Sequence, residues 1–111
     1  MVGKRALLAL CAAVLVHAGA IASTCDDLRQ DLNQAVMDGE DDGYLCVSYM
    51  ERLGVDGLHE RCLDYTDAMM RLALTVQELQ VTRCEYQIAP SDAKRTAWVY
   101  TRYMKLTTSR Q

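Results

Sequence analysis

The chain has little of what marks a catalytic or nucleic-acid-binding protein. Its 12 Lys and Arg face 15 Asp and Glu, so the basic excess that tracks a phosphate backbone is missing and an ordinary nucleic-acid binder is excluded. Two His occur in 111 residues, and no H-E-x-x-H pair is among them, which removes the common zinc-hydrolase arrangement. No G-x-S-x-G elbow is present. A Ser-His-Asp set needs no adjacency in sequence, but nothing marks one here, and no enzymatic activity is expected. Among the five Cys there is no C-x-x-C pair, so neither a zinc site nor another metal centre or cofactor is expected. Phe is absent, Pro occurs once, at Pro90, and Trp once, at Trp98. The 50% apolar content is nevertheless too high for a disordered chain, and the length allows one small domain.

What is present begins with an address. Lys4 and Arg5 precede an apolar run from Ala6 to Val16, then small residues ending Ala20-Ile21-Ala22. This is the layout of a secretory signal with an A-x-A cleavage site. His17 and Gly19 end the run short of the ~20 apolar residues a membrane span needs. Residues 1–22 are expected to be removed, leaving residues 23–111 as a soluble, secreted single domain. Removal takes Lys4, Arg5 and Cys11, which leaves 10 basic against 15 acidic residues and four cysteines, Cys25, Cys46, Cys62 and Cys84. An even number in an oxidising compartment predicts two disulfides.

Helical periodicity follows. Cys25, Leu28, Leu32, Ala35 and Val36 recur at helical spacing between polar residues, and Thr24 with Asp27 resembles a capping pair. The run Asp38-Gly39-Glu40-Asp41-Asp42-Gly43 reads as a turn that breaks this arm. Leu45, Cys46, Tyr49, Met50 and Leu53 resume the stripe, which stops at Gly54. From a cap at Asp56 to Ile88, the residues Leu58, Cys62, Tyr65, Met69, Leu72, Val76 and Leu79 alternate steps of four and three, the seam of one long helix. Leu63, Met70, Ala73 and Cys84 form a second line beside it, so a wide buried face is expected, with Met69 and Met70 as core filler. Pro90 ends this helix and Ser91 caps the next, residues 92–106.

Geometry orders the cysteines. Within one helix, Cys62 and Cys84 would lie about 33 Å apart at about 1.5 Å per residue, far outside disulfide reach. Two pairings remain. In an antiparallel hairpin partners are equally distant from the turn, and both Cys46 with Cys62 and Cys25 with Cys84 are centred on Gly54. The expected fold is therefore all-α: a disulfide-stapled antiparallel helical hairpin, its first arm broken at the acidic turn, with a third C-terminal helix completing a small helical bundle. The bridges Cys25–Cys84 and Cys46–Cys62 are structural, each contributing on the order of 2 to 4 kcal/mol.

Few motifs survive scrutiny. Asp38, Glu40, Asp42 and Gly43 match the start of a calcium loop, but Tyr49 stands where the closing Glu belongs. His59, the one histidine outside the signal, is read as a polar residue opening the long helix. Charge says more. Residues 23–56 carry nine acids against Arg29 and Arg52, whereas residues 91–111 carry Lys94, Arg95, Arg102, Lys105 and Arg110 against Asp92. Either the basic helix docks on the acidic arm, or its cations and aromatics face a partner. Trp98, Arg102 and Lys105 share one side of that helix. With Tyr103 they are the expected binding surface, for an extracellular protein receptor or an anionic membrane. The leading expectation is a secreted signal, venom component or effector that acts by binding. A carrier of small apolar ligands is the alternative, although packing is expected to consume its cavity. A third reading is a precursor that releases a cationic C-terminal peptide at Lys94-Arg95.

Overall fold

A computed structural model describes the backbone of residues 3–109 and the side chains of residues 24–109. The expected signal segment and its cleavage after Ala22 lie outside the residues whose side chains are described. Three helices follow one another, α1 (Gly3–Leu53), α2 (Glu60–Val81) and α3 (Pro90–Thr108), with no strand among the described residues. α1 and α2 form an antiparallel hairpin, and α3 packs on α1 as well.

The bridges join Cys25 to Cys84 and Cys46 to Cys62, with Cα–Cα distances of 5.6 Å and 4.6 Å. Each sits in one of two core clusters. At the open end of the hairpin Leu28, Leu32 and Val36 close on Leu79 around Cys84. Near the turn Val47, Met50, Tyr65 and Val99 close around Cys46 and Cys62. α3 therefore adds Val99 to the core beside the shorter bridge, and Tyr103 meets Tyr65 edge-on at 5.2 Å between ring centroids.

The first arm is not broken. α1 runs unbroken through Asp38–Gly43, and Thr24 with Asp27 caps nothing, because the helix passes through them. The two glycines are points of close approach. A Cβ on Gly43 would overlap Val99 Cγ1 and lie 2.8 Å from Tyr65 Cε1, whereas one on Gly39 would meet Met69 Sδ at 3.6 Å. Each glycine costs the helix about 1 kcal/mol relative to alanine, a loss offset at Gly43 by seating two other helices against the bare backbone. The acids are matched in the same way, since Arg71 of α2 lies 3.2 Å from Asp38 and Arg95 of α3 lies 4.0 Å from Glu40.

At the end of α1, Gly54 takes φ +66, the left-handed conformation that closes helices without steric cost. Asp56 does not cap α2. Its carboxylate accepts from the Leu58 amide at 2.9 Å, one turn early, and the cap is His59, whose Nδ1 accepts from the Arg61 amide at 3.2 Å. Of the expected seam Cys62, Tyr65 and Leu79 are buried, Met69, Leu72 and Val76 are half-buried, and Leu58 is exposed. Of the second line Cys84 is buried, but Leu63, Met70 and Ala73 point to solvent, because α2 packs mainly on α1 and meets α3 at Tyr65, on its buried side. α2 also stops at Val81, short of Ile88. Arg83 turns the chain with φ 57, and the Cys84 amide donates back to the Leu79 carbonyl at 2.9 Å, a Schellman closure. Pro90 opens α3, with Ala89 and not Ser91 at the cap position, as suits a residue without an N–H.

Candidate functional site

The four residues expected on the binding face of α3 part company. Trp98 is 55% exposed and Lys105 is exposed without an ion pair among the described residues. Arg102 turns back to α1, where Nη2 lies 2.6 Å from Glu51 Oε1 and Nε donates to the same oxygen at 2.8 Å. Tyr103 is half-buried against Tyr65 and belongs to the packing. Arg95 and Arg102 both reach acids of α1, so much of the charge asymmetry between the two ends of the chain is satisfied inside the molecule.

Trp98 instead forms one wall of a groove between α1 and α3. Its volume is about 520 Å³, and it is lined by Glu40, Asp41 and Tyr44 of α1 with Lys94, Arg95, Trp98 and Val99 of α3. Helical spacing assembles it. Glu40 and Tyr44 are one turn apart on α1, as are Lys94 and Trp98 on α3, and Val99 forms the floor because it is held over Gly43. Tyr44 is 56% exposed. The groove thus presents two half-exposed aromatics above a buried valine, with charges of both signs at its rim. Tyr44, Glu40 and Asp41 escaped the sequence reading because their segment resembles a turn. Placed on a helical wheel, Met37, Glu40, Asp41 and Tyr44 fall on one face, which is the signal that finds them.

Electrostatics at the groove floor is unusual. The Glu40 carboxyl is held above the ordinary range, first by burial, then by a hydrogen bond and charge from Asp92 and by Asp41, with Arg95 opposing. Its Oε1 is buried without a hydrogen-bond partner. Burial and the neighbouring carboxylates thus disfavour the charged form of Glu40. Asp42 is also raised, by burial and then by Asp64, Asp38 and Asp41 against the opposing Arg71. Tyr65 is pushed up to about 12, mainly by burial, so it is neutral at any physiological pH.

Other features are occupied structurally. His59 stacks on Tyr49 at 5.3 Å, and Arg61 lies over the same ring at 5.8 Å. Asp38, Glu40 and Asp42, the calcium-like trio, sit on a helix, where residues two apart point to opposite sides, and no group of three His, Cys, Asp or Glu able to hold a metal is found among the described residues. Lys94 and Arg95 lie within helix α3. Packing does not consume the whole apolar face. A second crevice of about 340 Å³ opens between α2 and α3, lined by Val36, Met69, Leu72, Ile88, Ala93, Thr96, Ala97 and Tyr100. Among the described residues no helix is long and apolar enough to cross a membrane, and the two disulfides fit an oxidising, extracellular environment.

Comparison with protein-family models, with curated proteins and with solved structures found no match to this chain.

Proposed function

We propose that the chain is a secreted, disulfide-stapled helical protein that acts by binding an extracellular protein partner in the α1/α3 groove. The observation that carries this reading is the pair of half-exposed aromatics, Trp98 of α3 and Tyr44 of α1, lining one concave surface together with Lys94 and Arg95. Trp, Tyr and Arg dominate binding hot spots, and such hot spots sit in pockets that exclude water. Mixed rim charge supports a protein over an anionic membrane, which attracts a uniformly basic face. Lys94-Arg95 is a poorer processing site than its composition suggests, since its peptide bond lies in a helix seated on α1 through Val99.

The test is saturable binding of the labelled, disulfide-bonded chain to intact cell surfaces. Trp98→Ala and Tyr44→Ala should each weaken binding, Trp98→Ala by about thirtyfold or more, the scale of a hot-spot residue. Anionic vesicles should retain none of the chain. Binding that survives both substitutions, or that transfers to anionic vesicles, defeats the proposal.

The apolar crevice between α2 and α3 favours a second reading, a carrier of small apolar ligands. Its 340 Å³ is at the lower limit of ligand sites, about 300 Å³. A fluorescent fatty-acid probe that binds saturably and raises the melting temperature would support it. Loss of probe binding in Ala97→Trp, which fills the crevice, would place the ligand there.

A further inference from the structure

α2 carries a second apolar face that the fold leaves uncovered. Leu63, Met70, Leu74 and Val81 are 45%, 61%, 56% and 75% exposed. They follow one another at steps of seven, four and seven residues, which at ~100° per residue keeps all four within about 40° of a common line. That line is opposite Tyr65, Ala68 and Leu79, which are buried on the side of α1. Four large apolar side chains along about 27 Å of helix form a continuous seam. Written as heptads, Leu63, Met70 and Gln77 occupy d positions, and Asp67, Leu74 and Val81 occupy a positions. α3 does not cover the seam, because it packs on α1.

The pattern of apolar and polar residues along this seam reads the same from either end, and we propose that the seam pairs with a second copy of the chain, antiparallel, about a twofold axis passing beside Leu72. An isologous interface requires such self-complementarity. In this register every a position meets a d position. Leu63 faces the partner's Val81, Met70 faces the partner's Leu74, and Asp67 faces the partner's Gln77. Apolar layers meet apolar layers, and the one polar pair sets a carboxamide donor against a carboxylate. The parallel alternative places Asp67 against the partner's Asp67, two like charges inside the seam. Arg71, close to the axis, is drawn toward Asp38 at 3.2 Å, away from its symmetry mate. The groove of the proposed function lies on α1 and α3, so the dimer would display two such grooves.

Sedimentation velocity of the disulfide-bonded chain from about 1 µM to about 500 µM, the range of a modest interface, reads the outcome. A monomer–dimer equilibrium is expected. Met70→Lys and Leu74→Glu should each raise the dissociation constant at least ~10-fold with unchanged far-ultraviolet circular dichroism, since both sites are exposed in the monomer. An equimolar mixture of the two variants should recover the dimer, because antiparallel pairing sets the new ammonium opposite the new carboxylate across one layer. A chain that stays monomeric throughout, an assembly indifferent to both substitutions, or a mixture that recovers nothing would each overturn the proposal.

Discussion

Replacing Gly43 by alanine should destabilise this protein even though the substitution improves intrinsic helix propensity. In an open helix the exchange gains about 1 kcal/mol. Here the new methyl group would overlap Val99 Cγ1 and stand 2.8 Å and 3.0 Å from Tyr65 Cε1 and Cδ1. Neither neighbour gives way cheaply. Val99 is buried and stiff about χ1 in a helix, and Tyr65 is 1% exposed, fixed between the shorter bridge and Tyr103. Overpacking of this kind costs about 1–3 kcal/mol, and displacing α3 forfeits the burial of Val99, about 1.5–3 kcal/mol. Strain in place and displacement of α3 are alternative ways to relieve the overlap, so after the propensity gain the net expectation is a loss of up to about 2 kcal/mol, or a melting temperature lower by up to about 15 °C for a domain of this size. Gly39→Ala is the internal control. Its Cβ meets only Met69 Sδ, at 3.6 Å, so the propensity gain should stand and the melting temperature should rise. Thermal and urea melts of both variants, with Trp98 fluorescence as a reporter of α3 docking, decide the matter. Two stabilising alanines would refute the close approach of three helices at Gly43.

Three further outcomes follow from the structure. Arg83→Gly should stabilise by up to about 1 kcal/mol, because a left-handed φ of 57 costs a non-glycine residue roughly 1–2 kcal/mol and glycine's greater unfolded-state freedom returns part of the gain; a lower urea midpoint would contradict the closure described for α2. The carboxyls of Glu40 and Asp42 have folded-state pKa values raised above the unfolded ones, so between the two values the folded chain binds more protons and stability falls as pH rises through that window. Melting temperatures followed upward in pH from the ordinary carboxylate range should show this decline, and Glu40→Gln should flatten it and raise stability at neutral pH; an unchanged slope would mean that burial does not raise the Glu40 carboxyl. Replacing Cys46 and Cys62 together by serine should cost about 2–4 kcal/mol in chemical denaturation, and a loss near zero would mean that Tyr65 and Val99 hold this end of the hairpin unaided.

The parts of the fold that were legible in sequence are those fixed by local chemistry or by hairpin symmetry. Leu28, Leu32, Ala35 and Val36 are periodic and are buried. Gly54 and Pro90 stand where the backbone needs a left-handed residue and a residue without an N–H. The common centre of the cysteine pairs at Gly54 matches the nested bridges. What misled was composition judged without its neighbours. Gly39, Gly43 and four acids resemble a turn until Tyr65, Val99, Arg71 and Arg95 arrive from other helices to fill the glycines' space and meet the charges. Leu63 and Met70 look like core beside Cys62 and Met69, but which of two apolar lines is buried depends on where the third helix packs, and periodicity does not specify that. Tyr103, half-buried against Tyr65, shows the same dependence on where α3 packs.

The groove, the docking of α3 and the role of Gly43 all depend on α1 continuing as one helix through its acidic segment. Amide hydrogen exchange of residues 38–47 in the disulfide-bonded chain measures this directly. Interior helix amides packed beneath Tyr65 and Val99 should exchange only through global unfolding, with protection close to that of Leu32 and Val36. Rapid exchange confined to residues 38–43, with protection resuming at Cys46, would mean that the arm is broken there, and the account would be wrong at its centre.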